Sequence, residues 1–145
     1  MTSLPPGFAG RGPSPTGSPD EAVLASLSTH LGVELAPRTF TVRGDVRVGV
    51  DGTDAAADVP PRFLVAVNGG SGQLKSLQRN RVIADAFKLE WLRGVLAPGA
   101  RAVLAVSEPY GRLFVLGAWL PVAVRERGIE VAVVDAAGRV RFLRP

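Results

Sequence analysis

Hydrophobic and polar positions follow a helical period in some stretches of the chain and a period of two in others. The stretch DEAVLASLSTHLGVEL has apolar residues at helical spacing, with Asp20 and Glu21 in the first turn and Gly32 as its end. In RTFTVRGDVRVGVDGT the period is two, and a Gly-Asp pair separates the two alternating runs. These patterns predict a one-sided amphipathic helix followed by a β-hairpin.

Two segments in the middle of the chain are apolar in different ways. FLVAVN has no polar alternation, which predicts a central strand buried on both faces. From Gln73 to about Arg93 the pattern is helical, with Gly94 and Pro98 as end signals. This helix has two apolar surfaces, so we expect it to pack against the sheet and a neighbour and to expose only its polar stripe. The polar stripe comprises Gln78, Arg81, Asp85 and Lys88, the broad apolar face comprises Leu77, Ile83, Ala84, Phe87 and Trp91, and the second patch comprises Val82, Ala86 and Leu89.

The remaining segments complete an alternation of helices and strands. Residues 51–61 are predicted to be loop, RAVLAVS a strand and AWLPVAVRER a helix with Pro121 in its first turn. IEVAVVDA indicates another buried strand, and GRVRFLR an edge strand or hairpin partner. The predicted order is helix, three strands, helix, strand, helix, strand and a short strand. A hairpin that leads into alternating helices and strands is typical of an α/β sandwich around a mixed sheet.

Composition limits the chemistry that the chain can perform. The chain has 145 residues, 46% of them hydrophobic, which suits one compact domain. It has no cysteine and a single histidine, His30, so disulfides, thiol catalysis, thiolate zinc sites and multi-histidine metal sites are excluded. The formal net charge is +4, but basic and acidic residues are interleaved along the chain. This balance permits a polyanionic partner without requiring one.

The N-terminal stretch MTSLPPGFAGRGPSPTGSP differs in composition from the rest. It is rich in Pro, Gly and Ser, so we predict a disordered lead over residues 1–19 and a single domain over residues 20–145. The stretch lacks the basic start and apolar core of a secretory signal, which favours a cytoplasmic protein. The apolar run LFVLGAWLPVAV is shorter than the roughly 20 residues of a membrane span, so we expect no membrane partner.

The glycine-rich turn NGGSG, between the buried strand and the long helix, has three interpretations. A phosphate-binding loop requires two glycines before Lys-Ser, and Gly69, Lys75 and Ser76 match that pattern. However, Leu74 occupies the position of the second glycine, where its side chain would obstruct the phosphate. The dinucleotide-binding variant of this first interpretation is also incomplete, because Lys75 occupies the position of its third glycine. In the structural interpretation, NGGSG is only a turn and the helix cations only a solvated face.

The third interpretation of this region is a nuclease-like site, which comes from a resemblance. The segments VRVGVDG, FLVAVNGGSGQLKSLQRNRVIADAFKLEWL, ARAVLAV, GAW and RGIEVAVVD resemble those of compact bacterial proteins of the PD-(D/E)XK nuclease-like superfamily. The resemblance covers about Asp20 to Asp135 and is most specific at Asp51 and Gly52 and in GQLKSLQRNRVIADAFKL. It implies a restriction-endonuclease-like sandwich with the element order predicted above.

The resemblance also implies a set of site residues. In that superfamily an Asp ends the second strand, an acidic residue and a Lys lie two apart on the third, and the next helix often carries a Gln. The carboxylates hold Mg²⁺ against the scissile phosphate, and the Lys orients or activates the attacking water. Here Asp51 matches the first position, whereas Ala66 and Asn68 occupy the other two. The resemblance then implies Lys75 as a migrated lysine and Gln78 near the phosphate.

Because Ala66 cannot bind a metal, we favour a protein that keeps the nuclease-like fold with impaired catalysis. Loss of one of the two carboxylates that bind the metal removes charge stabilisation on the order of several kcal/mol. Such a protein acts through nucleic-acid or protein binding, with phosphate contacts from Lys75, Arg79 and Arg81.

The alternatives are an active enzyme and a purely structural domain. The enzyme is a Mg²⁺-dependent DNA endonuclease with Asp51 as metal ligand and with Asn68, Lys75 and Gln78 in assisting roles. It needs a second carboxylate, for which Glu21 and Asp54 are candidates. A structural or protein-interaction domain needs none of these roles.

Overall fold

In the computed structural model, the strands form one sheet and the helices pack against it. The model describes residues 18–54, 59–70, 74–115 and 117–143. Most of the predicted disordered lead, residues 1–17, lies outside the described residues, and its last two residues belong to the start of the first helix. The elements are α1 (Pro19–Leu31), β1 (Ala36–Val42), β2 (Val46–Thr53), β3 (Phe63–Asn68), α2 (Ser76–Leu96), β4 (Arg101–Ser107), a 3₁₀ helix (Glu108–Phe114), α3 (Trp119–Glu126), β5 (Ile129–Val134) and β6 (Val140–Phe142).

The sheet is mixed, and its six strands follow chain order from β1 to β6. β1, β2 and β3 pair antiparallel, β3, β4 and β5 pair parallel, and β6 pairs antiparallel with β5. β3 is buried along its whole length. The predicted hairpin, the central position of FLVAVN and the edge position of the last strand are therefore confirmed.

Helices cover both faces of the sheet and enclose two hydrophobic cores. One core lies under α1 and includes Leu27, Val65 and Val103. The other lies under α2 and α3 and includes Leu89 and Leu104. Complete burial of one such aliphatic side chain contributes about 1.5–3 kcal/mol. The predicted α/β class with a mixed sheet is thus confirmed. The sheet and the helices on its two faces form three layers. Among the described residues, no helix has the length and apolar character needed to cross a membrane.

α1 begins where its sequence predicts, because local hydrogen bonds fix its start. The Ser18 amide donates to Glu21 Oε1 at 2.8 Å, and the Glu21 amide donates to Ser18 Oγ at 3.1 Å. This capping box, with Pro19 in the first turn, satisfies amides that the helix leaves unpaired. Gly32 ends the helix with a φ of 69°, as expected for a glycine stop.

The predicted limits of two segments differ from the structure. β2 continues to Thr53, so the start of the predicted loop 51–61 belongs to the sheet. α2 begins at Ser76 and passes through Gly94 to Leu96, so Gly94 does not end it. A glycine inside a helix costs about 0.5–1 kcal/mol, but Val95 and Leu96 beyond it pack against the core. Gln73, the predicted start, lies outside the described residues.

The orientation of α2 also differs from the prediction. The smaller apolar patch faces the sheet, whereas in the broad apolar face Leu77 is 68%, Phe87 73% and Trp91 38% exposed. Among the described residues no second element covers that side, so α2 buries only one surface. Trp119, at the start of α3, is also 63% exposed.

A close backbone approach joins the end of β3 to the start of α1. A Cβ atom on Gly69 would lie 2.6 Å from the Pro19 carbonyl oxygen and 2.9 Å from the Asp20 nitrogen. Both neighbours are backbone atoms, so a side chain at this position would force the two segments apart.

We therefore expect Gly69→Ala to lower the free energy of unfolding by about 1–3 kcal/mol. The matched control is Gly94→Ala, whose added Cβ would have no neighbour within 4 Å. Because Ala favours a helix more than Gly does, the control should raise stability by about 0.5–1 kcal/mol. Urea unfolding checks both, and equal midpoints for the two variants would contradict the close approach.

Candidate functional site

A β-bulge lies in β2 where Asp51 stands. The β1–β2 register passes from the pair Arg38–Val50 to the pair Ala36–Thr53, so β2 has one residue more than β1 over this interval. An extra residue interrupts the in-and-out alternation of a strand and redirects the side chains that follow. The bulge is therefore a feature that sequence periodicity did not predict.

The bulge places Asp51 on the α2 side of the sheet. Gly52 pairs with Val65, which belongs to the core under α1. Paired residues share a face and successive residues alternate, so Asp51 shares the other face with Ala66. Asp51 Oδ2 accepts a hydrogen bond from the Val67 amide at 2.8 Å. The carboxylate is thereby held beside β3.

Asn68 ends β3 and joins it to α2 through a side-chain hydrogen bond. Its Nδ2 donates to Asp85 Oδ2 at 3.0 Å. Asn68 is 2% exposed, and its Oδ1 has no hydrogen-bond partner among the described residues. A buried polar atom without a partner costs about 1–3 kcal/mol. Such an atom is typical of a site that a water, an ion or a ligand completes.

Asp85 is the second carboxylate of this site. Burial raises the pKa of Asp85, whereas the hydrogen bond from Asn68 and the positive charge of Lys88 lower it. The negative charge of Asp51 raises it further, Arg81 lowers it, and the net pKa lies above the ordinary value. Lys88 Nζ is 4.0 Å from Asp85 Oδ1. Asp51 and Asp85 are thus close enough to repel each other.

The site lies at the carboxyl ends of the parallel strands β3 and β4. Open α/β sheets bind ligands in this region. Here the Gly69 amide donates to Asp20 Oδ1 at 2.7 Å, and Ser107 Oγ donates to the Gly70 carbonyl oxygen at 2.6 Å. These bonds hold the chain as it leaves β3, beside Asn68.

The other predicted site residues lie along the first turns of α2. Gln78 Oε1 accepts a hydrogen bond from the Lys75 amide at 3.0 Å, so this oxygen caps the helix. The Lys75, Arg79 and Arg81 side chains are exposed. Among the described residues, no carboxylate lies within ion-pair distance of these three cations.

The two carboxylates considered as substitutes at Ala66 have other roles. Glu21 caps α1, and Asp54 accepts hydrogen bonds from the Arg62 side chain and amide. Asp85 takes the place beside Asp51 instead. Its sequence signal was its position on the polar stripe of α2, where it is the only acidic residue, but the stripe was expected to face solvent.

The resemblance implies Mg²⁺ at this position, and the oxygen atoms present here can be compared with that expectation. Mg²⁺ is commonly bound by one or two carboxylates together with water and substrate phosphate. Asp51, Asp85 and the unpaired Asn68 Oδ1 supply oxygen atoms of the required kind. Among the described residues no group of three or more acidic, His or Cys side chains could hold a metal. A phosphate oxygen would therefore have to complete the coordination.

A separate apolar cavity of about 340 Å³ lies between α3 and β5. Its walls include Phe114, Val122 and Val131. Glu130, the one carboxylate among its described lining residues, pairs with Arg101 at 2.7 Å. This cavity has no pair of carboxylates and does not compete with the Asp51 and Asp85 site for metal-dependent chemistry.

We expect Asp85→Asn to gain stability relative to the parent protein as the pH rises. Because folding raises the Asp85 pKa above 3.8, its contribution is fully present below that pH and is lost as the pH rises through the folded-state value. Asn has no charge to bury. Urea unfolding with EDTA present, from about pH 3 to about pH 7, measures the difference.

Asp54→Asn is the control of opposite sign. Burial acts to raise the pKa of Asp54, but hydrogen bonds from Arg62 and the Phe63 amide outweigh it and lower that pKa. Its stabilisation is present above 3.8 and is lost as the pH falls, so this variant should lose stability relative to the parent as the pH rises. Slopes of the same sign for both variants would refute the assignment.

Comparisons of the chain with models of protein families, with curated proteins and with solved structures find no match. The superfamily resemblance therefore stays a prediction from the residues themselves, and the function has to be argued from the geometry of the site.

Proposed function

We propose that the protein binds the phosphate backbone of nucleic acid along the first turns of α2. The basic edge of α2, defined as Lys75, Arg79 and Arg81, carries this proposal, since the three cations are exposed and unpaired among the described residues. Most of a protein's non-specific affinity for nucleic acid comes from such Lys and Arg contacts with phosphates.

The start of α2 adds a second attraction for anions. A helix N-terminus carries a partial positive charge and favours phosphate groups. The first turn of α1 contains Asp20 and Glu21, which neutralise that charge, whereas the first turn of α2 contains no acidic residue. The helix end and the basic edge therefore act on the same polyanion.

The proposal includes a restriction-endonuclease-like core with impaired catalysis. The element order and Asp51, two residues before the end of β2, support this kinship. Ala66 and Asn68 occupy the positions of the missing carboxylate and lysine, and Ala66 is completely buried. Asp85 restores a negative charge, but its carboxylate already accepts a hydrogen bond from Asn68, and burial raises its pKa. Both effects weaken it as a metal ligand at this site.

We expect binding of a labelled oligonucleotide to weaken steeply between about 50 and about 200 mM salt. Arg79→Ala should reduce the slope of log affinity against log salt by about 0.7–0.9, the contribution of one phosphate contact. Fluorescence anisotropy measures the slope. Arg47→Ala, which removes an exposed cation from β2, is the matched control and should leave the slope unchanged. Equal slopes for both variants would locate binding elsewhere, and absence of binding would leave a structural or protein-interaction role.

Asp85 beside Asp51 favours one alternative, an active Mg²⁺-dependent phosphodiesterase. Under our proposal, plasmid DNA with Mg²⁺ or Mn²⁺ should remain uncut above background. Cleavage that disappears in both Asp51→Asn and Asp85→Asn would replace the proposal with the enzyme. In that experiment Asp45→Asn, a change in the hairpin turn, should keep full activity and exclude a general effect of lost charge.

A further inference from the structure

α2 presents an apolar face to solvent. Leu77, Phe87 and Trp91 are 68%, 73% and 38% exposed. Phe87 and Trp91 are four residues apart, and Leu77 precedes Trp91 by about four helical turns, so the three side chains lie on one side of the helix. We name them the aromatic face of α2. Large apolar groups that remain exposed together usually mark a contact surface.

Cations border this face along its length. Arg81 lies four residues after Leu77, and Lys88 lies three residues before Trp91, so each is a surface neighbour of an apolar side chain. Arg81 is exposed, and Lys88 Nζ is 4.0 Å from Asp85 Oδ1. The aromatic face thus has cations along its border, and one of them, Arg81, also belongs to the basic edge of α2.

We infer that the aromatic face stacks the bases of single-stranded nucleic acid while Arg81 and Lys88 contact its phosphates. This inference rests on the proposed function and specifies its substrate class. Aromatic side chains beside cations are the usual platform for single strands, because every base has a face available for stacking. A duplex covers those faces with neighbouring base pairs. From Leu77 to Trp91 the helix extends about 21 Å, which is room for a few nucleotides.

Charge distinguishes this occupant from a second copy of the chain. A two-fold interface centred on the aromatic face would enclose Arg81 and Lys88 of both copies at its border. Four cations would then lie at one contact surface, and charged residues are normally depleted from the core of such a surface. A polyanion instead pairs with every cation on the border.

The test compares a single strand with a duplex of the same sequence, using the full chain. We expect the single strand to bind more tightly, and Phe87→Ala to weaken that binding at least about fivefold while duplex binding stays unchanged. Phe87 is 73% exposed, so the variant should fold normally. Trp119→Ala is the matched control, because it removes an exposed aromatic ring on α3, and it should change neither affinity.

Fluorescence gives a second measurement. The chain has two tryptophans, so Trp119→Phe leaves Trp91 as the only one. Stacking on a base should quench Trp91 emission as the single strand is added, whereas unchanged emission at saturation would overturn the inference.

The remaining outcomes separate the two proposals. Equal affinity for both strand forms, with no effect of Phe87→Ala, overturns base stacking and leaves the phosphate contacts standing. Binding to neither form overturns both. A dimer in sedimentation that Phe87→Ala dissociates would assign the face to a second copy.

Discussion

The hydrogen bond from Asn68 Nδ2 to Asp85 Oδ2 joins the end of the central strand to the middle of α2, and the position of Asp85 at the site depends on it. It turns Asp85 toward the sheet, where Asp51 stands on the β-bulge. Once this side of α2 faces inward, Leu77 and Phe87 on the other side face solvent. Burial of Val82, Ala86, Leu89 and Leu92 sets this orientation, and the hydrogen bond fixes Asp85 on the inward side.

This contact concentrates polar groups at a buried position. A pair of apolar residues in place of Asn68 and Asp85 would avoid a carboxyl with a raised pKa and an amide oxygen without a partner. Folding stability alone therefore does not account for the pair. The bulge that places Asp51 nearby also interrupts an otherwise regular hairpin.

The two helix starts near β3 have different electrostatic roles. At α1, acidic residues satisfy the helix end, and Asp20 also accepts a hydrogen bond from the Gly69 amide that fixes the chain leaving β3. At α2 the first turn has no carboxylate, and the basic edge surrounds it. The carboxylates at the start of α1 therefore accept hydrogen bonds from backbone amides, whereas the cations at the start of α2 face solvent. The aromatic face continues from this edge, so one helix presents both the charges and the rings that a single strand requires.

The sequence by itself determined the element order, the hairpin, the buried central strand and the α/β class, because these follow from local periodicity and turn residues. It also identified Asn68 as a polar group at a strand end, and Asp51 as a carboxylate near the end of β2. Only the tertiary structure decided the orientation of α2, since periodicity shows that a helix has two apolar surfaces but does not show which one the sheet will cover. For the same reason Asp85 was assigned to a solvent-facing stripe. Its partnership with Asn68, 17 residues earlier in the chain, exists only after β3 and α2 pack together.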